Sequence, residues 1–340
     1  MGKAREVLRV WCLSDGRPGH YNQSHGIVKA LSHRYDTRQE WIEADLRLPF
    51  MRPLLPLLLN HTRGAWFRLI MACYRCRLPA GAPDMIVSAG GNTLFLNAAL
   101  ARHFHCKNLF SGSLRRLSHR CFTGYLTLAA PAHDNAIQVL LAPTEMDSDE
   151  LTMYRNHVRE EQGWSGPIWC MVIGGDSGFY TFTAHDWIEL ARFMARMSDL
   201  FHVRWLLTTS PRTGQAVDSL LRDNIDPALL LDAVWYSQAP RKVMRDYLAA
   251  ADVVMCTEDS LTMLTEAVSA GRPVISLRPA RVSPNAAYEH ALSRLTHARL
   301  LASLPITELD EVNVGEVIDT LEPIAESMPA ILARKLEALI

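Results

Sequence analysis

The chain has no apolar run approaching the ~18–20 residues of a transmembrane helix, and its N-terminus carries no signal-peptide pattern. The expectation is a soluble or peripheral protein. No surplus of either charge is present: 35 Lys plus Arg stand against 36 Asp plus Glu, a formal net charge of −1. Nothing global therefore points to nucleic acid or to an acidic partner. Cysteine is sparse, with seven residues at 12, 73, 76, 106, 121, 170 and 256 and no framework among them. That pattern suits reduced thiols in a cytoplasm. Cys73-x-x-Cys76 lacks a second pair at zinc spacing and reads as a half-buried helix face, so no metal site is expected there. Neither the dinucleotide fingerprint G-x-G-x-x-G nor the P-loop G-x-x-x-x-G-K-[ST] occurs.

What is there is ample core material. Of 340 residues, 49% are apolar and 21% charged, and the length favours two domains. Short apolar runs read as buried parallel strands: "VLRVWCL" (7–13), "MIVSAG" (85–90), "AIQVLLA" (136–142), "WCMVIGG" (169–175), "VRWLLTTS" (203–210), "AVWY" (233–236), "DVVMCT" (252–257) and "PVISL" (273–277). Amphipathic stretches such as "TAHDWIELARFMARMSDLF" (183–201) and "SLTMLTEAVSAG" (260–271) lie between them. This alternation predicts an α/β protein of two Rossmann-like domains facing across a cleft. The expected boundaries are 1–150 for the first domain and 165–306 for the second, with helices in 307–340 packing back on the first. The polar segment 145–166 is the expected linker.

In open α/β sheets, ligands bind beyond the carboxyl ends of strands, at helix N-termini. Four strand ends carry the chemistry for this. "SDGRPGHYNQSHG" (14–26) holds three glycines, a proline, two histidines, Asp15 and Arg17, far more than a plain βα turn needs. "AGGNT" (89–93) offers Gly90, Gly91 and Asn92. "IGGDSGFY" (173–180) offers Gly174, Gly175 and Ser177. In "CTEDSLTMLTEAVSAGRPV" (256–274), Asp259 or Ser260 can cap a helix. Glu266 follows Ser260 by six positions, about 600° of helix, and so lies on a different face. A solvated helix face is its plainest reading.

"SDGRPGHYNQSHGI", "PAHDN" (131–135), "VIGGDSGFY", "TTSPRTG" (208–214) and "EDSLTMLTEAVSAGRPV" together resemble the bacterial branch of the mitochondrial-fission (elongated mitochondria) family, from about residue 8 to 300. That branch is regarded as GT-B-type glycosyltransferases of lipopolysaccharide or lipooligosaccharide core assembly. The resemblance implies that Ser177, Thr209, Ser210, Asp259, Ser260 and Glu266 hold a nucleotide-sugar donor beside Gly174 and Gly175. Arg212 becomes the candidate cation, because "GGDSGFY" stands where a more basic loop is expected. It also implies transfer without a metal or other cofactor, the nucleotide-sugar being a substrate, and a lipid-linked saccharide acceptor.

A sugar transfer needs a base for the acceptor hydroxyl and positive charge or dipoles for the departing diphosphate. The base is expected in the first domain, where Asp15 and His20 are both candidates. Arg17, Gly90, Gly91 and Asn92 are assigned to the acceptor side. His133 and Asp134 either contact the acceptor or fix their loop by an Asx-turn. The segment 46–79 carries six arginines and no acid between residues 47 and 77. Its three prolines between 49 and 56 break any early helix, whereas 63–77 suits a helix with Trp66, Phe67, Ile70 and Tyr74 near one face. Basic amphipathic stretches with aromatics lie in membrane interfaces, so a peripheral place on the inner face of the cytoplasmic membrane is expected. Two other readings share the fold: a non-hydrolysing nucleotide-sugar epimerase and a non-catalytic membrane-associated scaffold.

Overall fold

A computed structural model describes residues 5–61 and 67–340. The chain divides into two compact units, Met1–Glu145 with Met328–Ile340, and Met146–Ser327. The first contains β1 (Val7–Ser14), α1 (Pro18–Ser32), β2 (Asp36–Glu43), β3 (Asp45–Leu46), α2 (Leu55–His61), α3 (Phe67–Ala72), β4 (Tyr74–Arg75), β5 (Met85–Ala89), α4 (Leu94–Phe104), β6 (Lys107–Ser111), β7 (Gly124–Thr127) and β8 (Ala136–Gln138). Six of these strands form a parallel sheet in the order β2-β1-β5-β6-β7-β8. β3 and β4 pair separately and antiparallel.

The second unit contains α5 (Ser148–Gln162), β9 (Ile168–Val172), β10 (Tyr180–Thr181), α6 (Ala184–Phe201), β11 (Arg204–Thr208), α7 (Gly214–Asn224), β12 (Leu230–Val234), α8 (Met244–Ala250), β13 (Val253–Thr257), α9 (Leu261–Ser269), β14 (Val274–Arg278), β15 (Arg281–Val282), α10 (Ala286–His297), β16 (Ala302–Pro305) and α11 (Val314–Asp319). Its parallel sheet runs β12-β11-β9-β13-β14-β16. Counted along the chain that is 3-2-1-4-5-6, the doubly wound dinucleotide-fold order. The last helix, α12 (Met328–Glu337), returns to the first unit and packs on α1, burying Leu332 and Leu336 with Ile27, Val28 and Leu31.

Local chemistry explains the helices that frame each sheet. α6 opens on a capping box in which the Thr183 hydroxyl accepts from Asp186 N–H and the Asp186 carboxylate accepts from Thr183 N–H. One face then buries Trp187, Leu190, Phe193, Met194 and Met197, each contributing about 1.5–3 kcal/mol relative to exposure.

Several expectations need correction. The segment 145–166 is not a linker: most of it is α5, capped by Asp147 and ended by Gly163 at φ +67°. Arg155 and Arg159 of α5 reach Asp252 and the carbonyls of Ala250 and Ala251, which fastens the helix to the second unit. Of the C-terminal region, only residues from Met328 join the first unit, whereas α11 stays with the second. Residues 63–77 do not make one helix. The described part is α3 followed by β4, with Ile70 and Tyr74 buried in the core. Phe67 stacks on His103 at 3.8 Å, while Arg63 and Trp66 lie outside the described residues. Pro56 sits in the first turn of α2, where a missing N–H is tolerated, so the prolines do not prevent an early helix. Cys73 is buried just after α3 and Cys76 half-buried just after β4, not on a helix. Strands β2, β6, β7 and β16 were not expected from the sequence.

Candidate active sites at two switch points

In each sheet the strand order reverses beside the first strand, where two loops diverge and leave room for a ligand. In the first unit the reversal lies between β1 and β5, and the loops are 14–20 and 89–93. Gly16, at φ +76°, turns the chain after β1, and Pro18 starts α1 at its first turn. The Asp15 side chain is 2% exposed, with its two oxygens 2.9 and 3.0 Å from His20 Nδ1. A carboxylate only accepts, so the hydrogen sits on Nδ1 and Nε2 keeps its lone pair in the neutral ring. Arg17 Nε lies 3.9 Å from the same carboxylate.

The 89–93 loop holds the opposite side of this arrangement. Gly90 is at φ +84°, and a β-carbon there would fall 2.2 Å from His20 Nδ1. A β-carbon on Gly91 would fall 2.4 Å from the Arg115 guanidinium. The Asn92 side-chain oxygen accepts from Arg52, and its carbonyl accepts from the Tyr74 hydroxyl at 2.7 Å. Beneath the loop, the buried Asn97 amide donates to Ser88 Oγ and to Leu109 O, and Asn108 donates to Asn97 Oδ1. This network ties α4 to β5 and β6 and fixes the loop's base.

In the second unit the reversal lies between β9 and β13, and Gly174 is where three loops meet. Its N–H donates to Thr257 Oγ1 at 2.7 Å, and its carbonyl accepts from the Ser210 and Thr213 hydroxyls. A β-carbon there would fall 2.2 Å from both Asp259 oxygens. One on Gly175 would fall 2.5 Å from the Arg212 carbonyl. Asp259 has a fully buried side chain and pairs with Arg212, itself 41% exposed. Burial pushes the Asp259 carboxyl above the ordinary aspartate range, against the pull of Thr257, Arg212 and the Gly175 N–H. Ser260, not Asp259, caps α9 by accepting from Met263 N–H.

The remaining expected residues divide by role. Glu266 is 6% exposed, which rules out a solvated helix face. Thr209 is buried and its hydroxyl accepts from Tyr236 N–H at 2.9 Å. Ser177 shapes its own turn by accepting from Phe179 N–H and donating its N–H to Tyr180 O. The loop at 131–135 is fixed by Asn135, which donates to the carbonyls of His119 and Phe122, and not by Asp134, which is exposed. His133 stacks on His119 at 3.8 Å.

Sequence reading missed Glu258, although it stands in the same "CTEDS" run. Its side chain is fully buried and meets Arg278 at 2.8 Å, the hydroxyls of Tyr180 and Ser276 at 3.0 Å each, and Ser303. Arg115 and Thr213 were missed too, since nothing local marks them. The expectation of a metal-free site rests in part on the absence of a D-x-D motif, but Asp147-x-Asp149 is one. It has the spacing of a metal-binding acidic pair, yet Asp147 accepts from the N–H groups of Asp149 and Glu150 as a helix cap.

An uncharacterized protein of Rickettsia prowazekii is 21% identical over 308 residues, 80% of this chain and 84% of its own. The structure of Methanocaldococcus jannaschii UDP-GlcNAc 2-epimerase, in complex with UDP-GlcNAc and UDP, covers 98% of this chain and 99% of its own at 10% identity and a TM-score of 0.53. At that identity the likeness shows the fold alone, the GT-B-like fold of glycosyltransferases and epimerases. Escherichia coli ADP-heptose LPS heptosyltransferase II aligns over 98% of both chains at 12% identity and a TM-score of 0.48. The profile described as Mitochondrial fission ELM1 matches residues 18–328, and the chain therefore belongs to the mitochondrial fission ELM1 family.

Proposed function

We propose that this protein is a glycosyltransferase that moves a sugar from a nucleotide-activated donor onto a lipid-linked or lipopolysaccharide-core acceptor. The observation that carries the reading is the Asp15–His20 pair at the first unit's switch point. His20 Nε2 takes the acceptor hydroxyl proton as the new glycosidic bond forms at the donor carbon and the bond to the diphosphate breaks. Asp15 holds the imidazole tautomer and stabilises the imidazolium that results. In the second unit, Arg212 and the N-terminus of α9 meet the charge of the departing diphosphate, and Glu266 contacts the nucleoside. No metal takes part in this scheme. The acceptor's lipid places the enzyme on the inner face of the cytoplasmic membrane. Phe50, 73% exposed, with Leu54 and Leu57 and the exposed Arg47 and Arg68, supports contact through segment 46–79. Among the described residues, no helix is long and apolar enough to cross a membrane.

The likeness to a UDP-GlcNAc 2-epimerase favours a second reading, a nucleotide-sugar epimerase. Thermal unfolding with UDP, CMP, GDP, ADP and dTDP, with and without EDTA, identifies the donor nucleotide. At ~100 times its Kd, a ligand stabilises the native state by about 2.7 kcal/mol. The matching nucleotide-sugar is then incubated alone and with a bacterial lipid-saccharide extract. Transfer predicts radiolabel moving to the lipid fraction, abolished by His20→Ala without loss of nucleotide binding. Epimerised sugar with no lipid label establishes the epimerase instead. Binding of none of the nucleotides leaves the scaffold reading in its place.

A further inference from the structure

Three consecutive positions, Gly90, Gly91 and Asn92, seat three basic side chains. His20 lies against Gly90, the Arg115 guanidinium lies against Gly91, and Arg52 donates to Asn92 Oδ1. Neighbouring Cα atoms are only about 3.8 Å apart, so the two arginines and the histidine converge on one stretch of backbone. The two glycines are what permit it, since any β-carbon at either position would occupy the place of a ring or a guanidinium.

Among the described residues, neither Arg52 nor Arg115 has a carboxylate partner. Asp15 is committed to His20. Arg52 Nε is buried with no hydrogen-bond acceptor, a donor left unused in the fold. Arg115 is exposed and held at φ +53°, a conformation that side-chain-bearing residues rarely adopt. The same loop leads directly into α4, eleven residues long, whose N-cap Thr93 makes no side-chain capping bond; its hydroxyl donates backwards to Ala89 O. The amides of the first turn of α4 and two uncompensated guanidinium forks thus adjoin one loop beside His20. Guanidinium forks bind oxyanions bidentately, and a helix N-terminus favours the same charge.

We infer that this loop is an oxyanion subsite, and that the acceptor carries a phosphate or carboxylate held by Arg52 and Arg115 while its hydroxyl meets His20. The inference rests on the acceptor-side reading of the first unit, and its test does not depend on turnover. Binding of inorganic phosphate, and separately of acetate, to the full chain is measured by calorimetry at fixed ionic strength. The variants are Arg115→Gly, Arg52→Gln and, as a control in the second unit, Arg222→Gln, an exposed arginine of α7. UDP binding is measured on each.

At least one anion should saturate the wild type, the tighter of the two naming the acceptor's group. Affinity should fall at least about tenfold in R115G and R52Q and stay unchanged in R222Q. R115G removes a left-handed arginine, so its melting temperature should hold or rise. Loss of binding in a fold that is no less stable is an effect a merely structural arginine cannot give. Failure of both anions to bind, retention in R115G, or equal loss in R222Q overturns the subsite. If the anion results hold but no nucleotide binds, the subsite stands and the transferase reading falls.

Discussion

Gly90→Ala separates the backbone role of the first unit's loop from its chemical role. Gly90 sits at φ +84°, and the new β-carbon would lie 2.2 Å from His20 Nδ1 and 2.3 Å from Cε1. The backbone effect is a left-handed alanine, costing about 1–2 kcal/mol and lowering the melting temperature by roughly 2–8 °C in a unit of this size. The steric effect is larger. The imidazole must leave its seat, breaking its bond to Asp15 at 2.9 Å, and a positioned base contributes about 10²–10⁴-fold to rate. Gly163→Ala calibrates the first effect, because that glycine is also left-handed, at φ +67°, with nothing within 4 Å of a β-carbon. The assay is radiolabel transfer from the nucleotide-sugar, with nucleotide binding and melting recorded on the same samples. G90A should melt at or below G163A, bind nucleotide normally and lose about two orders of magnitude or more in turnover. Wild-type turnover in a folded G90A would refute the assignment of His20 as base.

Arg212→Gln leaves the Asp259 carboxylate buried without its cation. The loss should be about 1 kcal/mol, less than a fully buried pair because Arg212 is 41% exposed. Asp259 already titrates above the ordinary range, so the folded state binds its proton more tightly than the unfolded one. Stability from this group is complete at acid pH and falls as pH rises through the folded value. The R212Q deficit in urea unfolding should therefore widen from acid towards neutral pH, and Asp259→Asn in the same chain should flatten it. Glu258→Gln strips the charge from a carboxylate bonded to Arg278, Tyr180, Ser276 and Ser303; a loss of about 3 kcal/mol in denaturant unfolding is expected. For Asp252, burial pushes the carboxyl up, but the Ile168 N–H, Arg155 and Arg159 outweigh it and hold it below the ordinary 3.8. Its contribution is present above that value and lost as pH falls through the lower folded value. Wild type and Asp252→Asn should differ in urea midpoint near neutral pH and converge in strong acid.

The strands that are buried on both faces were legible because their apolar runs are continuous, as in "WCMVIGG" and "DVVMCT". Edge and short strands were not. β2, "DTRQEWIE", is largely exposed and polar, and it pairs with β1 through backbone bonds that leave no side-chain pattern. Segment 145–166 was misread because a surface helix with only Ser148, Leu151 and Val158 buried has the composition of a linker.

The sequence by itself determined the alternating α/β plan and the four chemistry-bearing strand ends, three of them with glycine, since turn chemistry and strand hydrophobicity are local. It could name Asp15 and His20 but not pair them, because five residues of loop and helix allow many separations until Gly16 and Pro18 set the turn. Only the tertiary structure decided which distant groups meet: Gly90 with His20, Gly91 with Arg115, and Gly174 with Asp259. Those meetings depend on strand order. β5 lies beside β1, and β13 beside β9, and a sheet's order is set by packing across the whole chain rather than by any stretch of it.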